Sequence, residues 1–182
     1  MRHPTRPLLG LLMSLILAGC NATDHTFCSL PAYFAVENTL QVPALHGALN
    51  NMGQFCTIRA TGGQYVFADT RQSSAINITQ LDYARNFYLG LSGFIVGLPN
   101  IPEMGLDQSR VVCYDWACRN CYEAFNVTRR MELQENGYAH CSGCGRTYNL
   151  NDMGQAVQGE AGKPLYRYRI SFMGYTMLIN NR

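Results

Sequence analysis

Charge is scarce in this chain. Asp, Glu, Lys and Arg supply 14% of its 182 residues, against about a quarter in typical soluble proteins. The net charge is only +2, too weak a positive balance for a protein that grips a phosphate backbone, so nucleic acid is not an expected partner. No apolar run reaches 18 residues, which excludes a membrane-spanning helix. Internal repeats, low-complexity tracts and long charge blocks are lacking. So are the nucleophile elbow, the phosphate-binding loop and the H-E-x-x-H helix, and no carboxylate pair stands out. No catalytic residue is assigned on this basis, and the chain reads more readily as a binding or structural protein than as an enzyme.

What is present begins at the first residues. Arg2, His3 and Arg6 form a short basic region, and Leu8 to Leu17 is apolar apart from Gly10 and Ser14. A run of about ten such residues suits the hydrophobic part of a signal peptide. It ends in Leu17-Ala18-Gly19-Cys20, which resembles the bacterial lipobox. That resemblance implies cleavage of residues 1–19, lipid on Cys20 and attachment to the inner or outer membrane of a bacterial cell envelope through that lipid. Residues 20–30, polar over Asn21 to Thr26, read as a tether, and residues 31–182 as one domain.

The composition of that domain favours an all-β fold: 17 Gly, 11 Tyr and 8 Phe suit strands joined by tight turns. Gln54 to Ala60 and Gln64 to Asp69 read as a hairpin across Thr61-Gly62-Gly63, and Ser74 to Thr79 as a third strand. Phe87 to Val96, with Gly90 and Gly93 inside, reads as two strands with a bend, and Leu98 to Arg110 as an apolar loop. Arg110 to Tyr114, Val127 to Leu133, Leu165 to Phe172 and Tyr175 to Ile179 read as further strands. A short helix is expected near Pro31 to Leu40 or Gln80 to Asn86.

Eight cysteines are many for this length. With Cys20 assigned to lipid, Cys28, Cys56 and Cys113 stand alone. Cys28 and Cys56 are candidates for one disulfide in an oxidising compartment, and Cys113, inside an apolar strand, for a buried thiol. The other four form Cys118-x2-Cys121 and Cys141-x2-Cys144, with 19 residues between the pairs. This is the spacing of structural zinc sites, in which two tight knuckles present four sulfurs in a tetrahedron. Four thiolates also suit a single iron or a 2Fe–2S cluster, and two disulfides remain the alternative.

Downstream of Cys144 come Gly145-Arg146-Thr147-Tyr148-Asn149-Leu150, Gly154, Gly159, Ala161, Pro164-Leu165 and Tyr168, and upstream of Cys118 comes Val111-Val112-Cys113-Tyr114-Asp115-Trp116. The pattern resembles the second half of a Rieske domain. There a C-x2-H-G turn leads to a short aromatic strand, two spaced glycines and a Pro-Leu-x-x-Tyr strand. The resemblance implies a small antiparallel barrel or sandwich with a two-knuckle metal subdomain, here residues 113–148, and a possible electron-transfer or oxidoreductase-subunit role. The ligand set departs from the family: Cys144 occupies the place of a histidine, the first loop holds none, and His140 only precedes the second knuckle. The two histidines that raise a Rieske potential are therefore missing.

Arg2 and Arg6 are not a twin-arginine pair, so export in an unfolded state is expected, and an assembled cluster would be lost on that route. Zn2+, which can bind after export, is the preferred metal on this ground. Trp116 is read as a core aromatic, Arg129-Arg130 and Arg167 with Arg169 as solvated strand faces, and His25 and His46 as surface residues. The loop Pro99 to Gly105 is read either as a docking segment for an envelope protein or as a cover for the barrel.

Overall fold

The computed structural model describes residues 27–101 and 110–181. The lipobox with Cys20, His25 and the greater part of the Pro99 to Gly105 loop lie outside those residues. In chain order the elements are β1 (Ala32–Val36), α1 (Pro43–Asn50), β2 (Gln54–Thr61), β3 (Gln64–Ala68), β4 (Ser73–Asn77), α2 (Gln80–Ala84), β5 (Tyr88–Leu89) and β6 (Phe94–Leu98). There follow β7 (Val112–Asp115), α3 (Arg119–Phe125), β8 (Glu132–Gln134), β9 (Tyr138–His140), β10 (Thr147–Asn149), β11 (Gln155–Gln158), β12 (Arg167–Tyr168), β13 (Ile170–Met173) and β14 (Thr176–Asn180). They make three antiparallel sheets, none closed into a barrel: β13-β14-β1-β5, β12-β7-β6-β2-β3-β4, and β11-β10-β9-β8. The all-β expectation holds, as a sandwich rather than a barrel.

The six-stranded sheet is the shared wall, and strand alternation decides what each side receives. On β6, Phe94 and Val96 face the first sheet while Ile95 faces the third. On β7, Cys113 faces the first, and Val112 and Tyr114 the third. On β2, Cys56 and Ile58 face one way and Phe55 the other. A strand buried on both faces reads as a continuous apolar run, as Phe94–Leu98 does. Phe34 of β1 seals the sandwich, with its ring 4.9 Å from Tyr65 edge-on, 6.3 Å from Phe67 and 6.2 Å from Phe94. The second core, under the third sheet, holds Met131, Ala139, Tyr148, Leu150 and Leu165 with Cys118, Cys121 and Cys141.

The Gln54–Ala68 hairpin and the third strand are as expected, with Gly62 and Gly63 at φ 56° and 75° in the turn. Gln80–Ala84 is a helix, closed by a capping box between Thr79 and Asp82. Other expectations need correcting. The alternative place for the short helix, Pro31 to Leu40, is mainly strand: Ala32–Val36 alternates buried and half-buried positions as β1 of the first sheet, and only a 3-10 turn at Thr39–Gln41 follows. The helix lies just beyond, at Pro43–Asn50, where Pro43 fixes the first turn and Ala44, Leu45 and Ala48 make the buried stripe. The two strands within Phe87 to Val96 do not pair with each other: β5 joins β1, and β6 lies between β2 and β7. Leu165 to Phe172 is not one strand either. It breaks at Arg169, β12 pairing with β7 and β13 with β14, so the chain changes sheets there. Of the segment Val127 to Leu133 only its end is strand, and α3 precedes it.

Candidate metal centre

Each knuckle is made by local backbone geometry. The first hangs from the end of β7. Cys118 caps α3 with extended backbone, so Cys121 returns in the first helical turn, above it on the same side. The loop is tied down before the helix starts: the Asp115 carboxylate accepts from Ala117 N–H at 2.7 Å, and Cys118 N–H donates to Arg129 O at 2.8 Å. The second knuckle is the β9–β10 turn. Cys141 N–H donates to Arg146 O at 2.9 Å and Gly145 N–H to Cys141 O at 2.8 Å, which needs the left-handed φ of 70° at Gly145. At Gly143 the Arg129 side chain lies close over the backbone, where a Cβ would displace it.

The fold brings all four cysteines together. Their Sγ atoms lie within 4.8 Å of one another. The short contacts run across the knuckles, Cys118 to Cys144 at 3.7 Å and Cys121 to Cys141 at 3.7 Å. Four sulfurs about 2.3 Å from one tetrahedral ion stand about 3.8 Å apart, so this group is shaped to hold a metal ion. Cys118, Cys121 and Cys141 are buried and Cys144 is half-buried. His140 does not join them; its Nδ1 is 3.1 Å from Thr147 Oγ1.

The surroundings treat the four thiols unequally. Burial pushes the Cys118 thiol up, and burial with the neighbouring thiols does the same to Cys121. At Cys144 burial also raises the pKa, but the Arg146 N–H and guanidinium and the adjacent Cys118 and Cys121 thiols outweigh it and bring it down to about 7. A bound cation would draw protons from the rest, since coordinating thiols deprotonate. Tyr148 OH sits 3.1 Å from Cys118 Sγ, and Asn120 Nδ2 donates to that hydroxyl at 2.9 Å. Asn120 also clasps Lys163, donating to its O at 2.9 Å and accepting from its N–H at 3.0 Å. A chain of polar contacts therefore runs from the surface to a candidate ligand sulfur. The sequence does not mark Tyr148 and Asn120 as partners of a ligand sulfur, because nothing local pairs two residues 28 positions apart.

The solitary cysteines stay apart from this centre. Cys56 and Cys113 lie in the first core and Cys28 packs against it, on the other side of the large sheet. All three are free thiols, and Cys113 is fully buried as expected. Cys28 and Cys56 do not come together: Cys28 N–H donates to Arg167 O on β12, and β7 and β6 stand between β12 and β2. Cys56 and Cys113 are separated by Val96, which pairs with both. Two strand spacings, about 10 Å, are beyond a disulfide's reach. Trp116 is half-buried against the second core; its Nε1 donates to Met131 O, and Arg130 lies 5.1 Å over its ring. Arg167 is no solvated strand residue: it is buried, and with Arg169 it lies over the Phe27 ring. His46 is exposed.

No protein-family model matches the chain, and no match is found among curated proteins. Among the described residues no helix is long and apolar enough to cross a membrane.

Proposed function

We propose that this chain is a bacterial envelope lipoprotein, lipid-anchored at Cys20, whose Rieske-like domain holds one Zn2+ on Cys118, Cys121, Cys141 and Cys144 in a structural or partner-binding role. The observation that carries this reading is the closeness of the four sulfurs. A two-iron cluster divides its thiolates between two irons, which spreads the pairs apart, whereas a spread of no more than 4.8 Å suits a single ion. Four protein ligands leave no open coordination position, the mark of structural rather than catalytic zinc. The Rieske-like part rests on residues 141–170, where the turn, the Thr147–Asn149 strand, Gly154 and Gly159 at positive φ, and the Arg167–Tyr168 strand follow the pattern quoted above. The partner would be another envelope protein.

Metal analysis of protein purified from its own host tests this. The expected result is one zinc per chain, no visible absorption, and loss of the metal in Cys141→Ser. A second reading, electron transfer through a single iron, has one observation in its favour: Cys144 is half-buried, which brings a ligand sulfur close to solvent. Iron with visible absorption would establish that reading in place of the first. Cys20→Ser should leave a full-length precursor that is no longer recovered with membranes; normal processing of that variant would remove the lipoprotein part alone.

A further inference from the structure

We infer that the chain binds a short neutral saccharide in a cleft where the large sheet meets the small one. The cleft has a volume of about 500 Å3, within the range of small-molecule sites. It is built from four separated stretches: the α1–β2 corner, the β3–β4 turn, the end of β6 and the segment from β8 to β9.

Its walls are held from behind. Asn151, 4% exposed, donates from Nδ2 to Asn136 O at 2.9 Å and accepts at Oδ1 from Asn100 N–H at 3.0 Å. One buried amide thus ties the Asn100 and Asn136 segments of the wall to each other. Asn136 itself is in the left-handed region at φ 60°, followed by Gly137 at φ 75°, where a Cβ would collide with Asn151. Asn followed by Gly is the pair that a tight turn with two positive φ angles favours, so the local sequence itself sets the shape of this rim. Preorganisation of this kind suits a binding rim.

The chemistry of the lining selects the ligand class. Gln54, Asn100, Gln134 and Asn136 are among the residues that line the cleft, together with the exposed Met52. An amide both donates and accepts, as a sugar hydroxyl does, and an apolar side chain among them suits the C–H face of a pyranose ring. Charge argues against an ion. The Asp69 carboxylate is committed to its own turn, accepting from Arg71 and Gln72 N–H at 2.7 Å each. Arg71 and Glu135, both on the rim, are of opposite sign. No single-sign field remains to hold a phosphate or a cation.

The test is calorimetric and NMR titration of the full metal-loaded protein with N,N′-diacetylchitobiose, maltose and lactose, with inorganic phosphate alongside. Saturable binding of at least one disaccharide is expected, and none of phosphate. The double variant Asn100→Ala with Gln134→Ala should weaken that binding at least tenfold, with metal content and melting temperature unchanged. No saturable response to any of the three at millimolar concentration would overturn the inference. So would preferential binding of phosphate, or full affinity in the double variant. Failure here, with one metal still bound per chain, leaves the metal reading standing.

Discussion

Tyr148 carries the most at the scale of single residues. Its hydroxyl faces Cys118 Sγ and is itself held by Asn120. Groups that orient a metal ligand typically contribute ten- to a hundredfold in affinity. Tyr148→Phe should therefore weaken metal binding by about tenfold, read by competition with a chromophoric chelator, while the fold persists. An unchanged affinity would make the contact incidental. Asp115 governs a pH dependence. Its carboxyl is fully buried, and burial lifts its pKa above the ordinary 3.8 against hydrogen bonds from Tyr168 OH and the Leu91 and Ala117 N–H groups. The folded state then binds this proton more tightly than the unfolded chain. The contribution is fully present below pH 3.8 and is lost as the pH rises through the raised folded value. Relative to Asp115→Asn, the wild type should lose unfolding free energy as the pH climbs from there toward neutrality. A difference between the two that stays flat with pH would refute the assignment.

Among elements, the bend between β5 and β6 is the least forgiving. Gly93 sits at φ 121°, and a Cβ there would collide with the Ile58 carbonyl of β2. Gly93→Ala should cost about 2 kcal/mol, lowering the melting temperature by roughly 5 °C in a domain of this size. Gly62 is the control: it is also left-handed, at φ 56°, but a Cβ there meets open space. Gly62→Asn should fall within about 0.5 kcal/mol of wild type, since Asn visits this region at little cost. Equal losses at both sites would mean that φ, not the close approach of β2, sets the penalty.

For the whole molecule, the division into two cores decides how metal loss is felt. The first core, between the first sheet and the six-stranded sheet, holds Phe34, Phe67, Phe94 and Ile179 and contains no metal-site cysteine. The second core contains three of the four, with Cys144 packed against it. Metal binding in small zinc domains is worth on the order of 10 kcal/mol of folding free energy. A chelator should accordingly lower the melting temperature strongly and expose amides in residues 115–146 to hydrogen exchange, while β1, β2, β3 and β6 stay protected. Reductant should change little, because the seven cysteines among the described residues are free thiols. Sensitivity to reductant but not to chelator would return these four cysteines to a disulfide role.

Local chemistry in the chain was enough to determine the β class, the Gly62-Gly63 hairpin and the four-cysteine group. A turn, an alternating strand and a C-x2-C knuckle are each written in a few neighbouring residues. Contact across the sheets decided the rest. Ala32–Val36 became a strand because β14 and β5 flank it, and Leu165 to Phe172 was split because Arg169 lies where one sheet hands the chain to another. Alternation placed Cys113 on the face away from the metal centre although only four residues separate it from Cys118. The Tyr148–Cys118 contact and the Asn151 brace join residues dozens of positions apart. No local pattern encodes such partners, because they are chosen by which faces the packed sheets press together.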